Sequence, residues 1–373
     1  MTNLTARASA LALMLSCAAA LPAWALDGIV PDITGPSDIV TRRTTLITQL
    51  WGGSTLPATL PTVMTGISNP FPSYNVSRVD QYVSAMSNGQ SNTSNLYNAN
   101  SPNNGRVVIF NPGHQGTCDW TAMAAGYRVQ PVLQALLAAG YSVFAMNMPN
   151  CGDLTAHVAL FSSYGNTAMG YFFEPAVQAM NYWNANASFS RYDFIGLSGG
   201  GWTSANLPAL DTRIKISVDV AGSWPGIALT GINCAAYCGD NSVANGSEAD
   251  WLNYYNVAGG YLDLYVMAAY GPNRRHFQIL NYSDSCCAGN AQYISGGAQA
   301  HYGVDYVTFI RNYSVAAKQL EGPVVVPMNY DVMIDYIANQ HQISTNAQQT
   351  ILSILASVGP GNAGGGRRLF HIW

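Results

Sequence analysis

Short apolar runs of strand length alternate with helix-length stretches through most of this chain, and that alternation most limits its architecture. Arg106–Phe110 (RVVIF), Tyr141–Met146, Tyr192–Leu197, Ile214–Val220, Phe277–Tyr282 and Val332–Tyr336 read as buried strands. Ala122–Ala139 with Gly140 as its stop, Phe172–Asn184, a stretch from about Trp202, and Gln348–Val358 read as helices. Strands that are apolar on both faces and separated by helices predict an α/β fold, a mostly parallel sheet flanked by helices. Such sheets carry their chemistry in the loops at the carboxyl ends of the strands. Earlier in the chain, residues 26–50 carry strand-like pieces, including Thr44–Leu50. A strand is expected near Tyr74–Met86, and the polar Asn88–Asn104 reads as a loop.

The N-terminus has the form of an export signal. Arg7 is the only charge before Asp27, Ala8–Leu21 is an Ala- and Leu-rich run, and Ala23-Trp24-Ala25 is a small-x-small site. This predicts a signal peptide over 1–25 with cleavage after Ala25. The run is short for a membrane span, and no later segment is apolar for long enough to provide one. Secreted or periplasmic localisation follows. Export gives meaning to Cys118, Cys151, Cys234, Cys238, Cys286 and Cys287, an even number that points to disulfides. No CxxC or His-rich spacing accompanies them, so a metal site is not expected.

The expected organisation is one domain over 26–358, with 222–275 as a lid or cap insertion and Gly-rich 359–373 as a flexible tail. Charged residues are 9% of the 373, against about 25% in an average globular protein. The net charge is −4 and the basic residues cluster only as pairs, such as Arg42-Arg43, Arg274-Arg275 and Arg367-Arg368. Nucleic acid, which needs clustered cations, is therefore not an expected partner.

The strongest motif is Gly196-Leu197-Ser198-Gly199-Gly200, a G-x-S-x-G between an apolar strand and a helix-compatible stretch. A tight strand-to-helix turn there exposes the Ser hydroxyl, and the flanking glycines let backbone approach closely. The Gly199 amide, at a helix N-terminus, can donate to a developing oxyanion.

With this motif the chain resembles the α/β-hydrolase superfamily. Val107–Gly116 (VVIFNPGHQG) is similar to the family's strand and oxyanion loop. Leu136–Asp153 (LLAAGYSVFAMNMPNCGD) is similar to its next helix end, strand and loop. Val332–His341 (VMIDYIANQH) is similar to its last strand with the catalytic His beyond it. The likeness spans about residues 40–358. Pro112 stands where the family often has His, and Asn147 where Asp is common.

The resemblance implies a nucleophile, acid and base in the order Ser, acid, His. Ser198 is the implied nucleophile. His114 and His157 precede it and His371 is in the tail, so His276, His301 and His341 remain as candidates. His341, just past the last strand, occupies the family's slot. Asp284, in the loop after HFQILNY, is the implied acid, with Asp305 and Asp219 as alternatives. The backbone amides of Gly199, His114 and Gln115 are the implied oxyanion donors. The family's strand order makes the strands before Cys118 and Cys151 neighbours, which implies a disulfide between those two. Trp120, Trp202 and Trp224 follow three of the strands, either lining an acyl pocket or simply packing beneath the loops. The implied activity is hydrolysis of a carboxylic ester without cofactor or metal. Amidase, peptidase or thioesterase chemistry and a non-catalytic binding role remain as alternatives. The sparse charge suits a neutral or polymeric substrate.

Overall fold

The computed structural model describes residues 32–223, 257–281, 329–338 and 340–357. Among them, nine strands form one sheet in the order β1-β2-β3-β5-β4-β6-β7-β8-β9. The strands are β1 (Thr62–Ile67), β2 (Val76–Ala85), β3 (Ser91–Ala99), β4 (Arg106–Asn111), β5 (Ser142–Ala145), β6 (Arg191–Leu197), β7 (Ile214–Val220), β8 (Arg275–Asn281) and β9 (Tyr330–Asp335). The first three run antiparallel, and β5 through β9 are parallel neighbours. The helices are α1 (Pro36–Trp51), α2 (Val129–Ala138), α3 (Leu154–Tyr164), α4 (Ala168–Ala185), α5 (Gly199–Leu210), α6 (Tyr261–Ala269) and α7 (Thr345–Ser357).

The sheet is buried on both faces, as its apolar strands require. In β4, Val107 and Ile109 enter a core with Leu46 of α1, Phe172 of α4, Trp202 of α5 and Leu264 of α6. Val108 and Phe110 face the other way, into a core with Leu136 of α2 and Ile351 of α7. This two-sided packing is the source of the continuous β-branched runs in the sequence.

Two segments differ from the sequence expectation. Thr44–Leu50 is helical, the end of α1, because burial falls on Ile39, Leu46, Ile47 and Leu50 at a helical spacing. Its β-branched threonines stay outside and donate back to carbonyls four residues earlier: Thr44 to Val40, Thr45 to Thr41 and Thr48 to Thr44, each at 2.9 Å. Pro36 starts the helix and left-handed Gly52 ends it. Residues 88–104 contain β3, a strand of mostly polar residues paired along its length with β2. Its buried Asn92 and Ser94 are satisfied internally: Ser94 Oγ donates to Asn92 Oδ1 (3.0 Å) and Asn92 Nδ2 to the Asn147 carbonyl (2.9 Å).

Smaller differences concern helix ends. The helix expected from Ala122 begins at Val129, after a short 3-10 turn and left-handed Arg128. The helix expected from about Trp202 begins at Gly199, immediately after Ser198. Residues 257–275, assigned to the lid from sequence, hold the wholly buried α6, which packs in the core with α5 as the crossover between β7 and β8. Residues 224–256 lie outside the described residues, as do 1–31 and 358–373, which hold the expected signal peptide and nearly all of the expected tail.

Candidate active site

Ser198 directly follows β6, with φ 59° and ψ −131°. A side chain is uncommon in that region and costs about 1–3 kcal/mol there, so the surroundings must hold it. They do. The Ser198 amide donates to the Val220 carbonyl on β7 (2.9 Å), and the Ser198 carbonyl accepts from Trp202 in the first turn of α5 (2.9 Å). Gly196 has no room for a β-carbon, which would overlap the Gly200 carbonyl. The result is a sharp bend at the N-terminus of α5, where backbone N–H groups favour negative charge.

The loop after β4 closes on this bend. Gly113 sits at φ 79°, its amide donating to Asn111 Oδ1 (2.9 Å). A β-carbon on Gly113 would lie 3.0 Å from both Ser198 Cβ and the Gly199 nitrogen. The His114 ring lies over Gly199, since a β-carbon there would be 2.6 Å from His114 Cε1 and 2.9 Å from Nδ1. Gln115 turns its side-chain amide to the Pro112 carbonyl (3.0 Å). The predicted Cys118–Cys151 disulfide is present and ties this loop to the one after β5. Gly152, in that second loop, is so close that a β-carbon would lie 2.9 Å from His114 Cα. The expected oxyanion loop and the Gly199 amide are thus brought side by side.

His341 lies in the loop after β9 and is 4% exposed. Its ring meets Tyr127 edge-on at 5.7 Å. The side-chain amide of Asn281, last residue of β8, donates to the carbonyls on both sides of it, Gln340 (3.2 Å) and Gln342 (2.9 Å). At the loop's base, Ser344 Oγ donates to Asp335 and accepts from the Ala347 amide at the start of α7 (3.0 Å). The base candidate is therefore anchored to the strand whose exit leads to Asp284, three residues past Asn281. Asp284, Asp305, His301, Trp224, Cys234, Cys238, Cys286 and Cys287 lie outside the described residues.

The other candidates occupy different surroundings. His276 is fully buried in β8, with Nδ1 2.8 Å from Ser217 Oγ and its ring stacked with Tyr265 and Tyr330. Burial, helped by the Arg274 charge, pushes its pKa down to about 3. Asp219 is also fully buried. Its neighbours Val218 and Val220 enter the core that contains α7, so alternation turns Asp219 to the opposite face. There it accepts from Ser223, which also contacts Tyr265 of α6 (2.8 Å). The His341 loop packs on the α7 side, where Ile343 and Tyr127 join that core. Burial pushes the Asp219 carboxyl up to about 7, against hydrogen bonds from Ser223, Gly222 and Gln278.

Trp120 and Trp202 are packing residues. Trp202 is buried against Phe172 and Phe173. Trp120 donates to Asn147 Oδ1 (2.9 Å), and Asn147 Nδ2 donates to the Thr93 carbonyl (2.9 Å), so Asn147 ties β3 to the loop beside the site. Sequence order set His157 aside, yet its Nδ1 lies 3.2 Å from His114 Nε2. The signal was Asp153, whose side chain caps α3 by accepting from the Ala156 amide (3.0 Å) and so places His157 on the first turn. Among the described residues, no cluster of three or more His, Cys, Asp or Glu could hold a metal ion. No helix among them is long and apolar enough to cross a membrane.

No family model matches this sequence, and no curated protein matches it. Solved structures do. The acetyl xylan esterase of a Paenibacillus species superposes with a TM-score of 0.53 at 13% identity, over 91% of this chain and 100% of that one. The glucuronoyl esterase from Solibacter usitatus gives 0.52 at 12% identity, over 88% and 98%. A methylesterase gives 0.53 at 13% identity over 86% of this chain, which spans 63% of the methylesterase's length. The strand order, the bend at Ser198 and these superpositions agree: the chain has the α/β-hydrolase fold.

Proposed function

We propose that this protein is an exported carboxylic ester hydrolase that works through Ser198, His341 and Asp284. The observation that carries the reading is the approach of Gly113 to Ser198 and Gly199, which leaves two backbone amide sources beside one strained serine. In the proposed reaction, His341 takes the Ser198 hydroxyl proton as Ser198 attacks the ester carbonyl. The amides of Gly199 and His114, with Gln115 close behind, hold the tetrahedral oxyanion. Asp284 orients the His341 ring and stabilises its cation. His341 then returns the proton to the departing alcohol, and water releases the acyl group by the same steps in reverse. No cofactor enters this chemistry.

Export is supported by the N-terminal signal pattern and by the Cys118–Cys151 disulfide, a bond of oxidising compartments. The proposed domain runs over 26–358, with 222–275, the connection between β7 and β8, as the lid or cap insertion. The substrate we propose is a neutral polymeric ester, in particular an acylated polysaccharide. One of the superposed structures is an esterase of that kind by name, an acetyl xylan esterase, another is named for glucuronoyl esters, and a chain with only 9% charged residues suits neutral material. The test is a panel of p-nitrophenyl acetate, longer acyl esters, acetylated xylan and glucuronate esters, run beside fluorophosphonate labelling. Hydrolysis with the label mapped to Ser198 supports the reading. An unlabelled Ser198 in a folded protein contradicts it.

A further inference from the structure

His157 is 2% exposed, on the first turn of α3, its ring edge-on to Phe172 at 4.8 Å. Its Nε2 lies 2.8 Å from the Pro149 carbonyl. A carbonyl only accepts, so Nε2 carries the hydrogen. With His157 Nδ1 as the acceptor, the nitrogen facing it, His114 Nε2 at 3.2 Å, is the donor. In that arrangement the chain runs from His114 through His157 to Pro149, and its far end is the ring that lies on Gly199.

The turn that supplies Pro149 is itself held. Asn150, Cys151 and Gly152 all have positive φ (49°, 57° and 74°), and the disulfide fixes Cys151 to the His114 loop. Within the loop, the Gly113 amide donates to Asn111 and the Gln115 side chain to the Pro112 carbonyl. The contact from His157 reaches the His114 ring from outside the loop, from the first turn of α3.

We propose that His157 is a positioning residue, holding the His114 ring on Gly199 so that the His114 and Gly199 amides stay aimed at one point beside Ser198. This rests on Ser198 being the nucleophile. Small misplacements of oxyanion donors are costly to the chemical step and cost little in ground-state binding. The test compares wild type, His157→Phe, His114→Ala (which keeps the backbone amide) and the double variant, with folding checked by thermal unfolding. His157→Phe is expected to lower kcat by about 10- to 100-fold with little change in KM, and to slow phosphonylation of Ser198 in parallel. The two changes act through one contact, so the double variant should be no slower than the worse single one. His157→Asn, whose amide oxygen can accept from His114, should recover part of the loss. His157→Leu replaces Phe in the same cycle should the Phe variant not fold. Wild-type kcat in a folded His157→Phe or His157→Leu variant, a loss confined to KM, or additive losses in the double variant would overturn the proposal. Absence of Ser198 labelling in the wild type would instead overturn the reading of the site, and this inference with it.

Discussion

Asn281 holds Gln342: the amide at the end of β8 donates at 2.9 Å to a carbonyl in the loop after β9, and at 3.2 Å to that of Gln340 on the other side of His341. Replacing Asn281 with Leu keeps the bulk and leaves two carbonyls in part-buried surroundings short of a donor. A loss of about 1–3 kcal/mol in stability is expected from the unmade bonds. Activity should fall further than stability explains, because the His341 ring loses its seat. Denaturant unfolding and kcat, measured on the same preparation, check both parts.

Gly113→Ala should nearly abolish ester hydrolysis. The added methyl would overlap the Leu197 carbonyl and crowd Ser198 Cβ, at a residue whose φ of 79° disfavours side chains. Loss of one oxyanion donor costs about 100- to 1,000-fold in comparable sites, and displacing the whole loop should reach at least that. Steady-state kinetics with p-nitrophenyl acetate check it, and an active Gly113→Ala variant would mean the loop plays no part.

Much of this site was legible in the sequence because close packing leaves few residue types to choose from. Gly196, Ser198 and Gly113 are dictated by backbone contact, so the motif carries the geometry. The Cys118–Cys151 pairing followed from the strand order that the resemblance to α/β-hydrolases implies. Other features were hidden for physical reasons. The threonines of α1 look like strand residues until their hydroxyls are seen bonded back along the helix. β3 buries Asn92 and Ser94, which no hydrophobic pattern reveals. His157 acts through a contact 43 residues away in sequence, invisible to any argument from chain order.

Reducing Cys118–Cys151 should lower stability by about 3–4 kcal/mol, the loop-closure estimate for a bridge spanning 33 residues. The disulfide also fixes the His114 loop, so the Cys118→Ser, Cys151→Ser double variant should lose kcat under conditions where it is still folded. Unchanged kcat in the folded variant would limit the bond to a stabilising role.

Asp219 and Asp284 should separate cleanly. Asp284→Asn is expected to cost about 10,000-fold, as loss of an orienting carboxylate does in a comparable triad, while Asp219→Asn keeps hydrolysis within about tenfold. Asp219 should instead appear in stability. Its folded pKa is raised from 3.8 to about 7, so its contribution is complete below pH 4 and is lost as pH rises through 7. Asp263, buried in α6 and also pushed up to about 7 by burial, acts in the same direction. His276, pushed down to about 3, acts oppositely, with stability present above pH 6.5 and lost as pH falls. Asp219→Asn should therefore lose less stability than wild type between pH 4 and 7. Each unit of displacement is worth about 1.4 kcal/mol, and denaturant midpoints across that range measure it.

The most direct measurement is the rate of Ser198→Ala on p-nitrophenyl acetate, with folding verified by thermal unfolding. Loss of the nucleophile in a comparable triad costs about a millionfold in kcat. The account predicts a fall of at least about a thousandfold, with a melting temperature close to wild type's, because Ala keeps the backbone bonds of residue 198 to Val220 and Trp202. A folded Ser198→Ala protein that hydrolyses the ester at the wild-type rate would contradict it.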